Sequence, residues 1–315
     1  MGKIDARTYE YMSNNSRFAD IFNYYLYDGN KVIKPENLHE LDTRELAMPY
    51  GEEKVADTIQ RYRDILKYMS AKTDDKAAYL LLGIENQADN HYAMPVKNML
   101  YDAAQYARQV TVTARSHRRI SRKEEAEKLK NGEYLSGFYR DDKLLPVITL
   151  VIFWSPDEWD APTSLHEMLA VEDESILRFI SDYKINLVTP YRMQDEDFDK
   201  LGTTLSEALK YIKHSKDKVS LQKILENDKV YQSIDRETAE LIKDVVGSEM
   251  DYEGEGEVVN MCLAEQEMKK DAADDRAKEI AMVLINMGKI TIEEIAQATK
   301  LSLEDVQKLA SNTVK

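Results

Sequence analysis

The chain has 315 residues, 43% of them hydrophobic and 32% charged, with only 11 Gly and 7 Pro. This composition is typical of a folded globular protein and excludes wholesale disorder or a collagen-like chain. The formal charge of −15 argues against a protein coated in nucleic acid or lying on an anionic membrane.

The sequence also predicts a compartment. The longest strongly apolar run, 144–154, is far shorter than the ~20 residues that a membrane span needs. Residues 1–7 lack the apolar stretch of a signal peptide, and the single cysteine, Cys262, fits a reducing environment. We therefore expect a cytoplasmic protein that is not in a membrane.

Helix and strand patterns alternate up to about residue 192, and only helical patterns follow. This order predicts an α/β core with an α-helical C-terminal part. The predicted elements, in chain order, are a helix over 14–26, paired strands over 64–69 and 77–84, a helix from Pro95 to about Val110, a polar and basic connection over 114–143, buried strands over 146–154 and 183–188, and helices over 195–214, 218–227 and 235–246.

The same patterns divide the chain into three parts. We expect a core over 1–192, a helical extension over 193–250, and an acidic linker with C-terminal helices over 251–315. The last part includes a helix-turn-helix-like hairpin over 290–311, because Thr291 and Ser302 each begin a capping-box pattern.

The second helix of that hairpin begins with Glu304 and Asp305, which are poor groups for reading base edges. An assembly or packing role is therefore favoured over DNA reading. The residues predicted to form its small core are Ile295, Ala296, Leu301 and Val306.

Several kinds of site lack their motifs. The sequence contains no P-loop, no G-x-G-x-x-G and no G-x-S-x-G pattern. One cysteine cannot form a structural zinc site, and the five histidines are scattered.

Polar residues close the apolar strand that begins near Ala77. Glu85 and Gln87 project to the same side of this strand, and Asp64 begins its predicted partner. Two carboxylates and the intervening backbone carbonyl of Asn86 would offer the hard oxygen ligands that Mg²⁺ or Mn²⁺ prefers. The alternative is that Glu85 caps a loop and Asp64 forms a surface ion pair.

A basic stretch over 103–123 contains no acidic residue, in contrast to the acidic balance of the whole chain. It could contact phosphates, or it could simply be a solvated helix face. Its basic side chains are Arg108, Arg115, Arg118, Arg119, Arg122 and Lys123.

Two runs together, 80–87 (LLLGIENQ) and 91–106 (HYAMPVKNMLYDAAQY), resemble the Rpn-type recombination-promoting nucleases, which are also described as transposases. These belong to the PD-(D/E)XK nuclease superfamily. The stretches 17–23, 61–67 and 145–152, with Trp159, add to a resemblance that covers about 14–190. It implies a mixed sheet flanked by helices, Mg²⁺-dependent DNA cleavage, and a dimer or larger assembly.

The resemblance also implies roles for individual residues. Asp64 matches the superfamily's strand-borne Asp, Glu85 its second acid, and Asp20 an auxiliary acidic position. Gln87 stands where the superfamily usually has Lys, and an amide offers less charge stabilisation than an ammonium group. Lys97 falls where relatives often carry a basic residue that contacts DNA.

Two functions are therefore expected from the sequence. The first is a metal-dependent DNA endonuclease, in which Asp64 and Glu85 hold Mg²⁺, Gln87 orients water and the basic stretch binds phosphates. The second is a catalytically inert DNA- or protein-binding protein that keeps the nuclease scaffold.

Overall fold

The computed structural model describes residues 3–40, 65–73, 76–120, 131–248, 250, 256–287 and 289–313. The chain divides into two compact units. Unit 1 comprises Met1–Leu221 and Glu240–Val246, and unit 2 comprises Gln222–Ala239 and Gly247–Lys315. Among the helices of the described residues, none combines the length and apolar character needed to cross a membrane.

The described elements confirm a mixed α/β protein. The strands are β1 (Leu38–Glu40), β2 (Ile65–Thr73), β3 (Lys76–Gln87), β4 (Val147–Phe153), β5 (Asn186–Val188), β6 (Ile234–Asp235) and β7 (Val258–Val259). The helices are α1 (Lys3–Ser13), α2 (Asn15–Tyr27), α3 (Met94–Ile120), α4 (Asn131–Ser136), α5 (Glu174–Leu177), α6 (Asp195–Phe198), α7 (Leu205–His214), α8 (Lys218–Asn227), α9 (Arg236–Val246), α10 (Met261–Met287), α11 (Ile292–Thr299) and α12 (Leu303–Thr313).

A five-stranded mixed sheet forms the centre of unit 1, in the order β1-β2-β3-β4-β5. The first three strands pair antiparallel, and β3, β4 and β5 pair parallel. The predicted hairpin is confirmed, since β2 and β3 pair from Ile65 opposite Ile84 to Thr73 opposite Lys76. Because β3, β4 and β5 run in one direction, their carboxyl ends lie at one edge of the sheet.

Helices cover both faces of this sheet. Lys67 of β2 lies opposite Leu82, and its ammonium group donates to the Ser13 carbonyl and to Asn15 Oδ1, at the junction of α1 and α2. Strand residues alternate between faces, so Glu85 points away from that junction, and it contacts α3 instead. The α1–α2 pair and α3 therefore pack on opposite faces.

Helix α3 extends about ten residues beyond its predicted end near Val110, so that prediction was wrong. The segment 111–120 is polar, but it has no Gly or Pro to stop a helix and contains good helix formers. Ala114 is buried, and a Cβ on Gly137 would lie only 2.8 Å from its Cβ. Gln109 also holds both backbone groups of Leu145, which fixes the chain leading into β4.

The turn after α2 packs closely against a later loop. Asp28 ends α2 in a left-handed conformation, and Gly29 follows with φ of +83°. A Cβ on Gly29 would lie 2.8 Å from the Lys200 Cβ and 2.9 Å from its carbonyl oxygen. The Lys200 ammonium group is also 2.8 Å from the Asp28 carboxylate. Only glycine therefore fits this turn without displacing backbone.

Helix α1, which the sequence patterns do not predict, is tied to the second segment of unit 1. Lys3 Nζ lies 2.7 Å from Asp244 Oδ1, and Arg7 pairs with both Asp244 and Glu240. The Asp244 side chain is almost fully buried, so these ion pairs are partly shielded from water.

Unit 2 contains the short β6–β7 pair and the helices α10, α11 and α12. Its helical part packs around Ala281, Ile295 and Val306, with Ala296 and Leu301 against them, which confirms the predicted small core. The capping box at Thr291 is also confirmed, because the Thr291 hydroxyl and the Glu294 carboxylate each accept the other's backbone N–H.

Replacing Gly29 by Ala should lower the free energy of unfolding of unit 1 by about 2–4 kcal/mol. The left-handed backbone and the overlap with Lys200 both disfavour a Cβ there. Urea denaturation followed by tryptophan fluorescence measures this, since Trp154 and Trp159 both lie in unit 1. The control is Gly132→Ala in α4, where no described atom lies within 4 Å of the new Cβ, so stability should stay equal or rise. Equal losses in both variants would contradict the close packing.

Candidate active site

Three polar residues end β3 at the edge where the parallel strands finish. Glu85, Asn86 and Gln87 lie opposite Val151, Ile152 and Phe153 of β4. The Trp154 amide donates to the Gln87 carbonyl at 2.8 Å and continues the pairing beyond β4. Backbone bonds therefore fix the position of this strand end from the β4 side.

The Glu85 side chain is completely buried, and Lys97 of α3 neutralises it. Lys97 Nζ lies 2.9 Å from Glu85 Oε2 and is 22% exposed. An ionised carboxylate without a partner would be very costly at such a depth. The pair therefore joins the start of α3 to the end of β3, and it brings together two residues that the sequence analysis assigned to different roles.

A second buried contact fixes α3 one turn further on. Asp102 accepts hydrogen bonds from the Thr149 hydroxyl of β4 at 2.7 Å and from the Tyr183 hydroxyl at 2.6 Å. Met94, at the start of α3, packs in a cluster with Val151 and other residues of this edge. Lys97 lies between these two anchors, so its position over the strand end is set by the packing of the whole helix.

The Gln87 side chain lies over its own strand end. Its Nε2 donates to the Asn86 carbonyl at 2.8 Å, which is the oxygen expected to bind a metal ion. The Asn86 side chain points to the opposite face, where it accepts from the Trp154 indole at 2.8 Å.

Two polar residues near this site were missed by sequence reasoning. Asn98 follows Lys97 on α3, is fully buried, and has no hydrogen-bond partner for either amide atom among the described residues. Burial lowers the pKa of His91, and the Lys97 ammonium group lowers it further, which favours a neutral ring at pH 7. A buried polar residue on a helix resembles an apolar one in periodicity, so no pattern singled out Asn98.

Asp20 holds a loop instead of joining Glu85. Its carboxylate accepts hydrogen bonds from the backbone N–H groups of Gly202 and Thr203 and from the Thr203 hydroxyl, at 2.6–3.0 Å. Asp20 lies on α2, whereas Glu85 points to the face covered by α3. The structure therefore does not bring these two acids together.

Asp64 lies outside the described residues, so its pairing with Glu85 stays a prediction. Arg122 and Lys123 also lie outside them, as do the side chains of Arg118 and Arg119, although α3 includes these last two residues. Arg115 is exposed on α3, and Arg108 is half-buried. Within the described part of the chain, no group of three or more His, Cys, Asp or Glu side chains could hold a metal ion.

Comparison with protein-family models, with curated proteins and with solved structures finds no match to this chain. The family relationship that the sequence motifs indicate therefore stays a prediction.

Replacing Lys97 by Met should lower the free energy of unfolding by about 3–5 kcal/mol, because it removes the cation that lies beside the buried Glu85 carboxylate. The matched control is Lys216→Met. Lys216 pairs at 2.6 Å with Asp157, both side chains are more than half exposed, and such a surface pair contributes about 0–1 kcal/mol. Urea denaturation followed by tryptophan fluorescence gives both values. A loss at Lys97 no larger than at Lys216 would contradict a structural role for the Glu85–Lys97 pair.

Proposed function

We propose that the protein is a Mg²⁺-dependent DNA endonuclease that hydrolyses phosphodiester bonds, of the Rpn type within the PD-(D/E)XK superfamily. The observation that carries this proposal is the Glu85–Lys97 pair at the carboxyl end of β3. A carboxylate next to a cation, at the edge where parallel strands end, is the kind of group set that can bind a metal ion and a phosphate.

The arrangement of elements supports the assignment of the PD-(D/E)XK fold in this proposal. An antiparallel hairpin, β2–β3, is followed by α3 and by the parallel strand β4, and the candidate site lies at the end of the central strand. This order is compatible with the mixed sheet flanked by helices that the resemblance implies. Membership of the nuclease superfamily remains part of the proposal.

The residues at this edge suit a magnesium ion. The described part supplies one carboxylate, Glu85, and one carbonyl oxygen, Asn86, and Mg²⁺ often binds proteins through only one or two carboxylates while keeping several waters. Asp64 would supply the second acid. When bound, the ion would supply a water molecule of lowered pKa and neutralise charge on the phosphate.

Lys97 and Gln87 have distinct roles in this proposal. Lys97 places a positive charge beside Glu85 from the helix, although the strand carries Gln87 where lysine is usual. This charge would stabilise a phosphate oxygen as negative charge develops on it. Gln87 Nε2 is held by the Asn86 carbonyl, so its Oε1 is the atom that would accept a hydrogen bond from the attacking water.

One observation favours the alternative, a catalytically inert DNA- or protein-binding protein. Glu85 has no exposed surface, and Lys97 occupies the position beside its Oε2. In this alternative, the carboxylate only joins α3 to the sheet. The two functions differ in whether Glu85 is needed for a Mg²⁺-dependent reaction.

A plasmid-nicking assay with purified protein separates these functions. The wild type should nick supercoiled DNA with Mg²⁺ and not with EDTA, and Glu85→Gln should lower the rate at least ~100-fold, since one oriented charged group at a reaction centre is worth about this much. Calorimetric titration with Mg²⁺ should show weaker binding to the same variant.

The controls address folding. Glu167→Gln changes a carboxylate that binds Thr163 in an exposed loop, and it should cleave like the wild type. Tryptophan fluorescence checks that Glu85→Gln stays folded. If Glu85→Gln unfolds, the double variant Glu85→Gln, Lys97→Met replaces it, because that variant removes both charges of the pair. A folded wild type that binds DNA without Mg²⁺-dependent nicking would establish the inert alternative.

The exposed face of α3 is the proposed DNA-binding surface. Each phosphate contact releases counterions, so the logarithm of the affinity should fall with the logarithm of the salt concentration, with a slope near −0.9 per contact. Arg115→Glu together with Arg118→Glu should weaken binding to duplex DNA and make this slope shallower. Arg276→Glu, on α10 of unit 2, is the control and should leave the slope unchanged. Fluorescence anisotropy over a salt series measures it, and equal slopes would assign α3 to the solvated surface.

A further inference from the structure

A cleft of about 370 Å³ lies along α2 on the face of the sheet opposite Glu85. We call it the α2 cleft. One wall is the segment 31–35, the other is the loop of Gly202 and Thr203, and residues of α2 form its floor. Neither the proposed cleavage of DNA nor the contacts of the candidate active site use it.

Two buried polar side chains of α2 hold these walls in place. Asn23 is 4% exposed, and its amide accepts from the Ile33 N–H at 2.7 Å and donates to the Ile33 carbonyl at 2.9 Å. Asp20, which is 8% exposed, accepts hydrogen bonds from the backbone N–H groups of Gly202 and Thr203. One helix therefore holds two loops apart, and the cleft is formed before any ligand binds.

Three side chains on the border of the cleft offer hydrogen-bond donors. Lys31 and Lys34 are exposed, and among the described residues neither has a carboxylate oxygen within 4.0 Å. The chain has 58 acidic residues against 43 basic ones, and nearby Lys200 has two acidic partners. The Ser16 hydroxyl adds a third donor, with no partner within the described part of the chain.

The remaining residues that line the cleft determine what kind of ligand it can bind. Ala19, Ile33 and Pro35 give the cleft an apolar side next to the two lysines. The carboxylate of Asp20 also lines the cleft, where four hydrogen bonds from Gly202 and Thr203 occupy its oxygens, and the two lysines leave the lining with a net charge of +1. A site of this size, mostly apolar with a few convergent polar groups, is typical of small-molecule binding.

We propose that the α2 cleft binds a phosphate monoester with a compact apolar body. A phosphate monoester carries a charge of about −1.5 to −2 at pH 7 and three acceptor oxygens, which match two ammonium groups and one hydroxyl. Its organic part packs against Ala19, Ile33 and Pro35.

Isothermal titration of the full chain with phenyl phosphate, without divalent cations, tests this proposal independently of any nuclease activity. The wild type should bind with a dissociation constant on the order of 0.1–1 mM, and inorganic phosphate should bind at least ~10-fold more weakly because it lacks an apolar part. In ¹H–¹⁵N spectra, phenyl phosphate should shift the amide signal of Gly202.

Two variants remove the site by different means. Lys31→Glu with Lys34→Glu reverses its charge, and Gly202→Val fills it, because a Cβ there would lie 3.4 Å from Lys31 Nζ and leave the N–H bonds to Asp20 intact. Each should weaken phenyl phosphate binding at least ~10-fold. The control, Lys218→Glu with Lys223→Glu, makes the same charge change at exposed lysines of α8 and should bind like the wild type.

Several results would overturn the proposal. These are a wild-type dissociation constant above ~10 mM, equal binding by wild type and both cleft variants, or an equal loss in the α8 control. Inorganic phosphate binding as tightly as phenyl phosphate would exclude an apolar part of the ligand.

Discussion

The alternation of side chains along β3 is the constraint on which the arrangement of this molecule depends. It sends Glu85 to one face of the sheet and Asn86 to the other, so neighbouring residues serve different layers. A carboxylate buried beneath a helix needs a cation, hydrogen-bond donors or a metal ion beside it, and here the helix brings a cation. Lys97 does so because Asp102 and Met94 fix α3 on both sides of it. The packing of α3 on the sheet therefore also determines that Glu85, at the strand end, lies beside a cation.

The layer on the other face is organised by polar residues in a different way. Asp20 and Asn23 point from α2 to backbone groups of loops, where they take the place of secondary-structure hydrogen bonds. Both residues are buried, at 8% and 4% exposure, beside the fully buried Phe18 and Phe22. Asp20 on α2 is therefore a residue that positions a loop, whereas Glu85 on β3 is stabilised by its ion pair.

Most of the sheet could be predicted from the sequence, because its strands are apolar runs bounded by turn residues. The hairpin of β2 and β3, the buried strand β4 and the core of the C-terminal helices all follow from periodicity. The length of α3 could not be predicted so well, because its second half is polar and is held by contacts such as that of Ala114 with Gly137. Long-range contacts of this kind leave no local pattern.

The candidate site likewise combines residues that a local sequence pattern reveals with contacts that only the tertiary structure reveals. The sequence singled out Glu85 from its position after an apolar run, and it assigned Lys97 to DNA from the resemblance. That these two side chains meet depends on the crossing of α3 over β3, which sequence spacing does not reveal. Asn98 was missed because burial of a polar group is a property of the tertiary structure.

The order in which the chain enters the two units has a consequence for how the protein folds during synthesis. Unit 1 is completed by Glu240–Val246, after the chain has already contributed Gln222–Ala239 to unit 2. Lys3 and Arg7 are made long before their partner Asp244, which lies 237 residues after Arg7 in the chain. Contacts of such wide sequence separation form slowly. Helix α1 can therefore form its pairs with Asp244 and Glu240 only after that segment has been made, and a fragment ending at residue 221 would lack both of these acids.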